Sequence, residues 1–103
     1  MARPKIQRKI CTRAPYSCFK PNGVPMTELQ HIELQAEELE ALRLADQEGL
    51  SQLDAAAQMQ VSRQTFGNIV KRARAKVANC LVNGHALVLK TDQDTPVQTG
   101  SAN

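Results

Sequence analysis

Apolar positions along this chain fall into short, well-bounded patterns. Over residues 36–48 they recur at helical spacing, with Leu39, Leu42 and Ala45 on one face and Ala41 and Leu44 widening the arc. That arc is broader than one packing partner requires, so the helix is expected to touch two neighbours. Gly49 is its predicted stop. Ser51 then opens a short second helix as its N-cap, with Asp54 in the capping position, and Ala55, Ala56 and Ala57 carry it to about Met59. A turn at Gln60 and Val61 leads to Ser62, the N-cap of a longer helix over about residues 63–82, which Asn83 and Gly84 end. Two runs read as strands. Residues 31–34 alternate weakly, and residues 85–89 are continuously apolar, pairing either with the first run or with the N-terminal segment.

The flanks differ in kind. Residues 1–27 hold four of the five prolines, Pro4, Pro15, Pro21 and Pro25, together with Gly23, a composition that predicts an extended arm rather than a helix. Residues 91–103 have almost nothing to bury and are expected to be disordered. Residues 28–90 between them make one small domain. The fold class predicted is mainly α, a helix-turn-helix with a small β element from the N- and C-terminal segments.

Composition narrows the classes of function. With 42% hydrophobic but only 3% aromatic residues, the core must come from Leu, Val, Ile, Ala and Met, and a stacking platform for single-stranded nucleic acid is poorly supplied. No apolar run approaches the roughly 20 residues that span a bilayer, and no apolar signal region follows the basic start. A cytoplasmic protein with no membrane partner is expected. Its odd set of cysteines, Cys11, Cys18 and Cys80, points to reduced thiols rather than a disulfide framework.

Charge changes the picture most, because the net value of +3 conceals a block pattern. Residues 1–27 carry six bases and no acid. Residues 28–59 carry eight acids against Arg43 alone, and residues 60–90 carry six bases and again no acid. Basic blocks flanking an acidic one suggest a polyanion partner.

The stretch 50–74 has what a helix-turn-helix needs: a capped short helix, a small residue (Ala56) where helices cross, a tight turn with an apolar plug (Val61), and a second capped helix with a polar outer face. At roughly 100° per residue, Phe66, Ile69, Val70, Ala73, Val77 and Cys80 fall on one side of the last helix. Gln64, Asn68, Lys71, Arg72 and Ala75 fall on the other. Gln and Asn pair bidentately with adenine, Arg with guanine, and Lys, Arg and Thr with the backbone. The expectation is therefore double-stranded DNA binding, with Arg63, Gln64 and Asn68 near base edges and Thr65, Lys71 and Arg72 on the flanking phosphates. The free N–H groups of the helix start at Ser62 are expected to face a phosphate, and Gly67 to let the backbone approach the groove. Arg3, Lys5, Arg8 and Lys9 of the arm are expected to add affinity through counterion release. Two-fold pairing on a palindromic site suits so small a reader, so a homodimer is expected, with Ala41 and Leu44, or residues 85–89 as an edge strand, as contacts.

These residues carry two resemblances. MARPK at the start, FKPNGVP at 19–25, ELEALRLAD at 38–46, EGLSQ at 48–52, VSRQTF at 61–66 and the ending ALVL resemble the family called domain of unknown function 134, or uncharacterised protein family 0251, described as predicted DNA-binding proteins. Residues 50–75 also resemble region 4 of sigma-70-class factors, the helix-turn-helix that reads promoter DNA, and with nothing upstream like the promoter-melting parts of such factors this implies DNA reading but not polymerase recruitment. Gln60 departs from that motif, which commonly has Gly at this turn, and a slightly looser turn is expected there.

Other functions have weaker support. There is no Gly-rich phosphate loop and no assembled catalytic constellation, so an enzyme is not expected, nor a cofactor. The spacings Cys11-x6-Cys18 and Cys80-x4-His85 lack the two-residue interval of paired zinc ligands. The alternatives are a protein-interaction module using the acidic helix as its docking surface, or a metal- or redox-sensing regulator using Cys11 and Cys18.

Overall fold

The computed structural model describes residues 17–90, and each predicted element within them forms. The first helix is α1 (Ala36–Leu42), continued by a π-helical turn over Arg43–Gln47. Its start is closed by Glu38, whose carboxylate accepts the backbone N–H of Gln35 at 2.8 Å. Gly49, at φ 73°, turns the chain away from its end, as only a residue without Cβ does cheaply. Helix α2 (Gln52–Met59) begins on Ser51, whose hydroxyl accepts the Asp54 N–H at 3.1 Å. Helix α3 (Arg63–Asn83) begins on Ser62 and ends at Gly84, φ 71°.

A three-stranded sheet joins the ends of the described chain. Strand β1 (Cys18–Phe19) runs antiparallel to β3 (Ala86–Leu89), and β2 (His31–Leu34) runs parallel to β3 on its other side, giving the order β1-β3-β2. The apolar run thus pairs with both segments rather than with one. This corrects one expected dimer contact: β3 is the central strand, its hydrogen-bonding groups engaged on both sides, and is not an edge that a second chain can extend. The part of the Pro-rich segment that is described also includes a 3-10 turn, Met26–Glu28.

The broad apolar arc of α1 is divided between two neighbours, as its width implied. Ala41 and Leu44 join Ala55, Ala56 and Met59 of α2 and Phe66, Ile69 and Val70 of α3 in one cluster. Leu39 and Leu42 lean instead on Leu34, Ala73 and Leu89 at the sheet. Helix α3 is the spine common to both clusters. The other expected dimer contacts are corrected here too: Ala41 is 0% and Leu44 1% exposed, so both are used up within one chain. No helix among the described residues is long and apolar enough to cross a membrane.

Candidate nucleic-acid interface

Helices α2 and α3 are joined by the turn Gln60-Val61-Ser62. Gln60 takes the left-handed conformation, φ 60° and ψ 44°, and its N–H donates to the Ala57 carbonyl at 3.1 Å. Val61 donates to the Ala56 carbonyl at 3.0 Å and packs on the helical cluster as the plug. The turn is therefore closed, not loosened, by the glutamine; the backbone adopts the glycine-like conformation regardless of the side chain. Ser62 accepts the Thr65 N–H at 3.0 Å and donates its own hydroxyl to Thr65 Oγ1 at 2.9 Å, fixing both hydroxyls at the start of α3. The first turn of α3 contains no acid.

The two faces of α3 separate as the spacing predicts. Phe66, Ile69, Val70, Ala73 and Cys80 are buried and Val77 is half-buried, whereas Gln64, Asn68, Lys71, Arg72 and Ala75 are exposed. Arg63 is exposed at the helix start, and Thr65 is half-buried beside it. Ser62, Arg63, Gln64, Thr65, Asn68 and Lys71 thus lie at the start and along the first half of α3, all but Thr65 exposed. Arg3, Lys5, Arg8 and Lys9, and with them Cys11, lie outside the described residues.

Arg72 stands apart from its neighbours. Its Nε donates to Glu38 Oε2 and its Nη2 to Glu37 Oε2, each at 3.2 Å, tying α3 to the start of α1. Lys76 adds a second tie, its Nζ lying 2.8 Å both from Glu38 Oε1 and from the Glu33 carbonyl. Arg74 makes a bidentate pair with Asp46, at 2.7 and 3.1 Å. The basic block of α3 is therefore partly neutralised by the acidic block of α1, which sequence reading missed because the partners are far apart in the chain. Among the described residues, Arg63 and Lys71 are the cations of α3 with no such partner.

Burial by itself raises the pKa of the Glu38 carboxyl, only 1% exposed, but hydrogen bonds from Lys76, the Gln35 N–H and Arg72 outweigh it and hold the group below its ordinary 4.5. The Arg74 hydrogen bond likewise lowers Asp46. Glu40, also 1% exposed, receives both Arg43 Nε and Nη2, at 3.1 and 3.0 Å. Burial pushes the Cys80 thiol up, which makes it a poor nucleophile or ligand. Cys18 is half-buried on β1, its Sγ 3.5 Å from Met26 Sδ. Among the described residues, no group of three or more His, Cys, Asp or Glu side chains is placed to hold a metal ion.

Comparison with known proteins places the chain in a family. The family model described as protein of unknown function DUF134 matches residues 1–95. A UPF0251 protein of Vibrio parahaemolyticus is 64% identical over 93 residues, covering 90% of this chain and 97% of its own. UPF0251 proteins of Aeromonas salmonicida and Shewanella piezotolerans are 56% and 54% identical, each covering 92% of this chain and 94% and 95% of their own. No solved structure matches the chain. Matches of this extent and identity mean that the chain belongs to the DUF134 (UPF0251) family.

Proposed function

We propose that this protein binds double-stranded DNA in a sequence-dependent way through α2 and α3 and acts as a cytoplasmic transcriptional regulator. The observation that carries the reading is the first half of α3: a capped, acid-free helix start whose exposed face offers Gln64, Asn68 and Lys71, with Arg63 and Lys71 unpaired among the described residues while the other α3 cations are neutralised internally. That is the inventory of a major-groove reader. In this reading Arg63, Gln64 and Asn68 meet base edges. Lys71, Thr65 and the free N–H groups after Ser62 meet phosphates, and Arg3, Lys5, Arg8 and Lys9 add backbone contacts. Arg72 orients α3 against α1 first and contacts a phosphate only secondarily. The protein is a binding module rather than an enzyme.

The rival docking module loses most of its surface, since Glu37, Glu38, Glu40 and Asp46 already pair with Arg72, Lys76, Arg43 and Arg74. Fluorescence anisotropy against a site selected from random duplex tests the proposal. Gln64→Ala and Asn68→Ala are each expected to cost about 1–3 kcal/mol at that site and to blur preference at particular base pairs. Absence of duplex binding at low salt, or unchanged sequence preference in both variants, removes the reading.

A further inference from the structure

The outward face of α3 changes character halfway along. Up to Arg72 it is polar; beyond it Ala75, Ala78, Leu81 and Val82 are all exposed, Leu81 at 79% and Val82 at 81%, with Arg74, Asn79 and Asn83 exposed at their flanks. At helical spacing Ala75, Ala78 and Val82 form a stripe, and Leu81 extends it sideways to an apolar groove of about 240 Å³ walled by Phe19, Pro21, Val77 and Leu87. Phe19 itself is 54% exposed. Single exposed apolar residues need no explanation, whereas a contiguous stripe and groove does.

We infer that this face is where a second copy of the same chain docks, the C-terminal ends of two α3 helices crossing about a two-fold axis. Leu81 and Val82 of each copy then cover the groove beside Phe19 of the other. Charge selects this occupant. Residues 77–89 contain no Asp, Glu, Lys or Arg in a chain of net charge +3, so along this end of α3 two identical basic molecules meet with the least like-charge repulsion, Lys20 being the one cation on the groove wall. Lys20, the charged residue on the groove wall, is turned onto the Val24 carbonyl at 2.6 Å. Apart from this exposed lysine, a charged partner would find no Asp, Glu or Arg among the residues lining the groove. The position also fits a two-fold reader: α3 has 21 residues, roughly 31 Å of helix, so joining the C-terminal ends leaves both polar halves free and separated. That placement on DNA rests on the proposed function; the association itself does not.

Sedimentation velocity on the full chain without DNA, from low to high micromolar, tests it. Wild type is expected to move from 11.3 kDa toward twice that mass with rising concentration. Leu81→Glu and Val82→Glu are each expected to weaken association roughly tenfold or more, with circular dichroism showing an unchanged helical spectrum because both side chains are solvated. Leu53→Glu, at an exposed leucine on α2, is the control and is expected to leave association unchanged. A single 11.3 kDa species at every concentration overturns the inference, because the face is then covered by the chain's own ends or by a different protein. Dimers that persist in both α3 variants, or that the Leu53 control disrupts equally, overturn it as well. A dimer that fails to bind duplex leaves this inference standing and removes only the DNA reading.

Discussion

Gln60 shows most plainly what a single residue contributes. It holds φ 60° without being glycine, a conformation that costs an L-residue about 1 kcal/mol, and its exposed side chain makes no hydrogen bond among the described residues. Gln60→Gly is expected to raise stability by about 0.5–1 kcal/mol, a rise of a few degrees in the melting temperature followed by circular dichroism. An unchanged or lower melting temperature would mean that the side chain supports the turn. Lys71 and Arg72 are adjacent and equally charged, yet their surroundings differ. Lys71→Gln should make the slope of log K against log salt shallower by about 0.9 and leave melting unchanged. Arg72→Gln removes donors from Glu37 and the buried Glu38, so it should lower the melting temperature and alter the salt slope little. The reverse pattern would show that Arg72 leaves its acids for a phosphate.

At the scale of elements, α3 serves packing through one face, with recognition proposed for its first half and association for its far end. Gly67 separates the first two. A Cβ built there would lie 3.5 Å from Gln52 Oε1, an ordinary contact, so packing against α2 does not require glycine. Alanine at this position gains about 1 kcal/mol of helix propensity. Gly67→Ala is therefore expected to melt higher and, where the backbone must approach a groove wall, to bind duplex more weakly. Thermal melting and anisotropy on the same preparation read the two effects with opposite signs. A variant that is more stable and binds as tightly as wild type would take Gly67 out of the interface.

Across the whole molecule, Glu38 is the point where three elements meet: it closes the start of α1, accepts Lys76 and Arg72 from α3, and shares Lys76 with the Glu33 carbonyl of β2. Because its folded pKa lies below the ordinary 4.5, the unfolded chain takes up the proton first as pH falls. Its stabilising contribution is thus complete above that value and is lost as pH descends through the folded pKa. The melting temperature should be level from neutral pH to about pH 5 and fall below 4.5. Glu38→Gln should lower stability by about 1–3 kcal/mol at neutral pH and flatten that acid limb. An acid limb as steep in Glu38→Gln as in wild type would assign it to other carboxylates, among them Asp46, which is also lowered but 47% exposed and so better screened.

What the amino-acid sequence determined by itself is what acts over a few residues. Ser51 and Ser62 cap the N–H groups three positions on, Gly49 and Gly84 supply left-handed turns, and the apolar spacing of α3 separates Phe66, Ile69 and Val70 from Gln64, Asn68 and Lys71. Family membership was legible for the same reason, in contiguous runs such as ELEALRLAD and VSRQTF. Only the tertiary structure decided that β3 is central, that Ala41 and Leu44 are interior, and that Arg72 is paired. Those outcomes depend on contacts between distant residues: Arg72 and Glu38 are 34 positions apart, and Lys76 and Glu33 are 43. A helical face read from spacing alone is either covered or open, and the spacing is the same in both cases. Which it is depends on what the rest of the chain brings against it, and this is why the exposed stripe from Ala75 to Val82 emerges only once α1, α2 and the sheet have taken the other sides of α3.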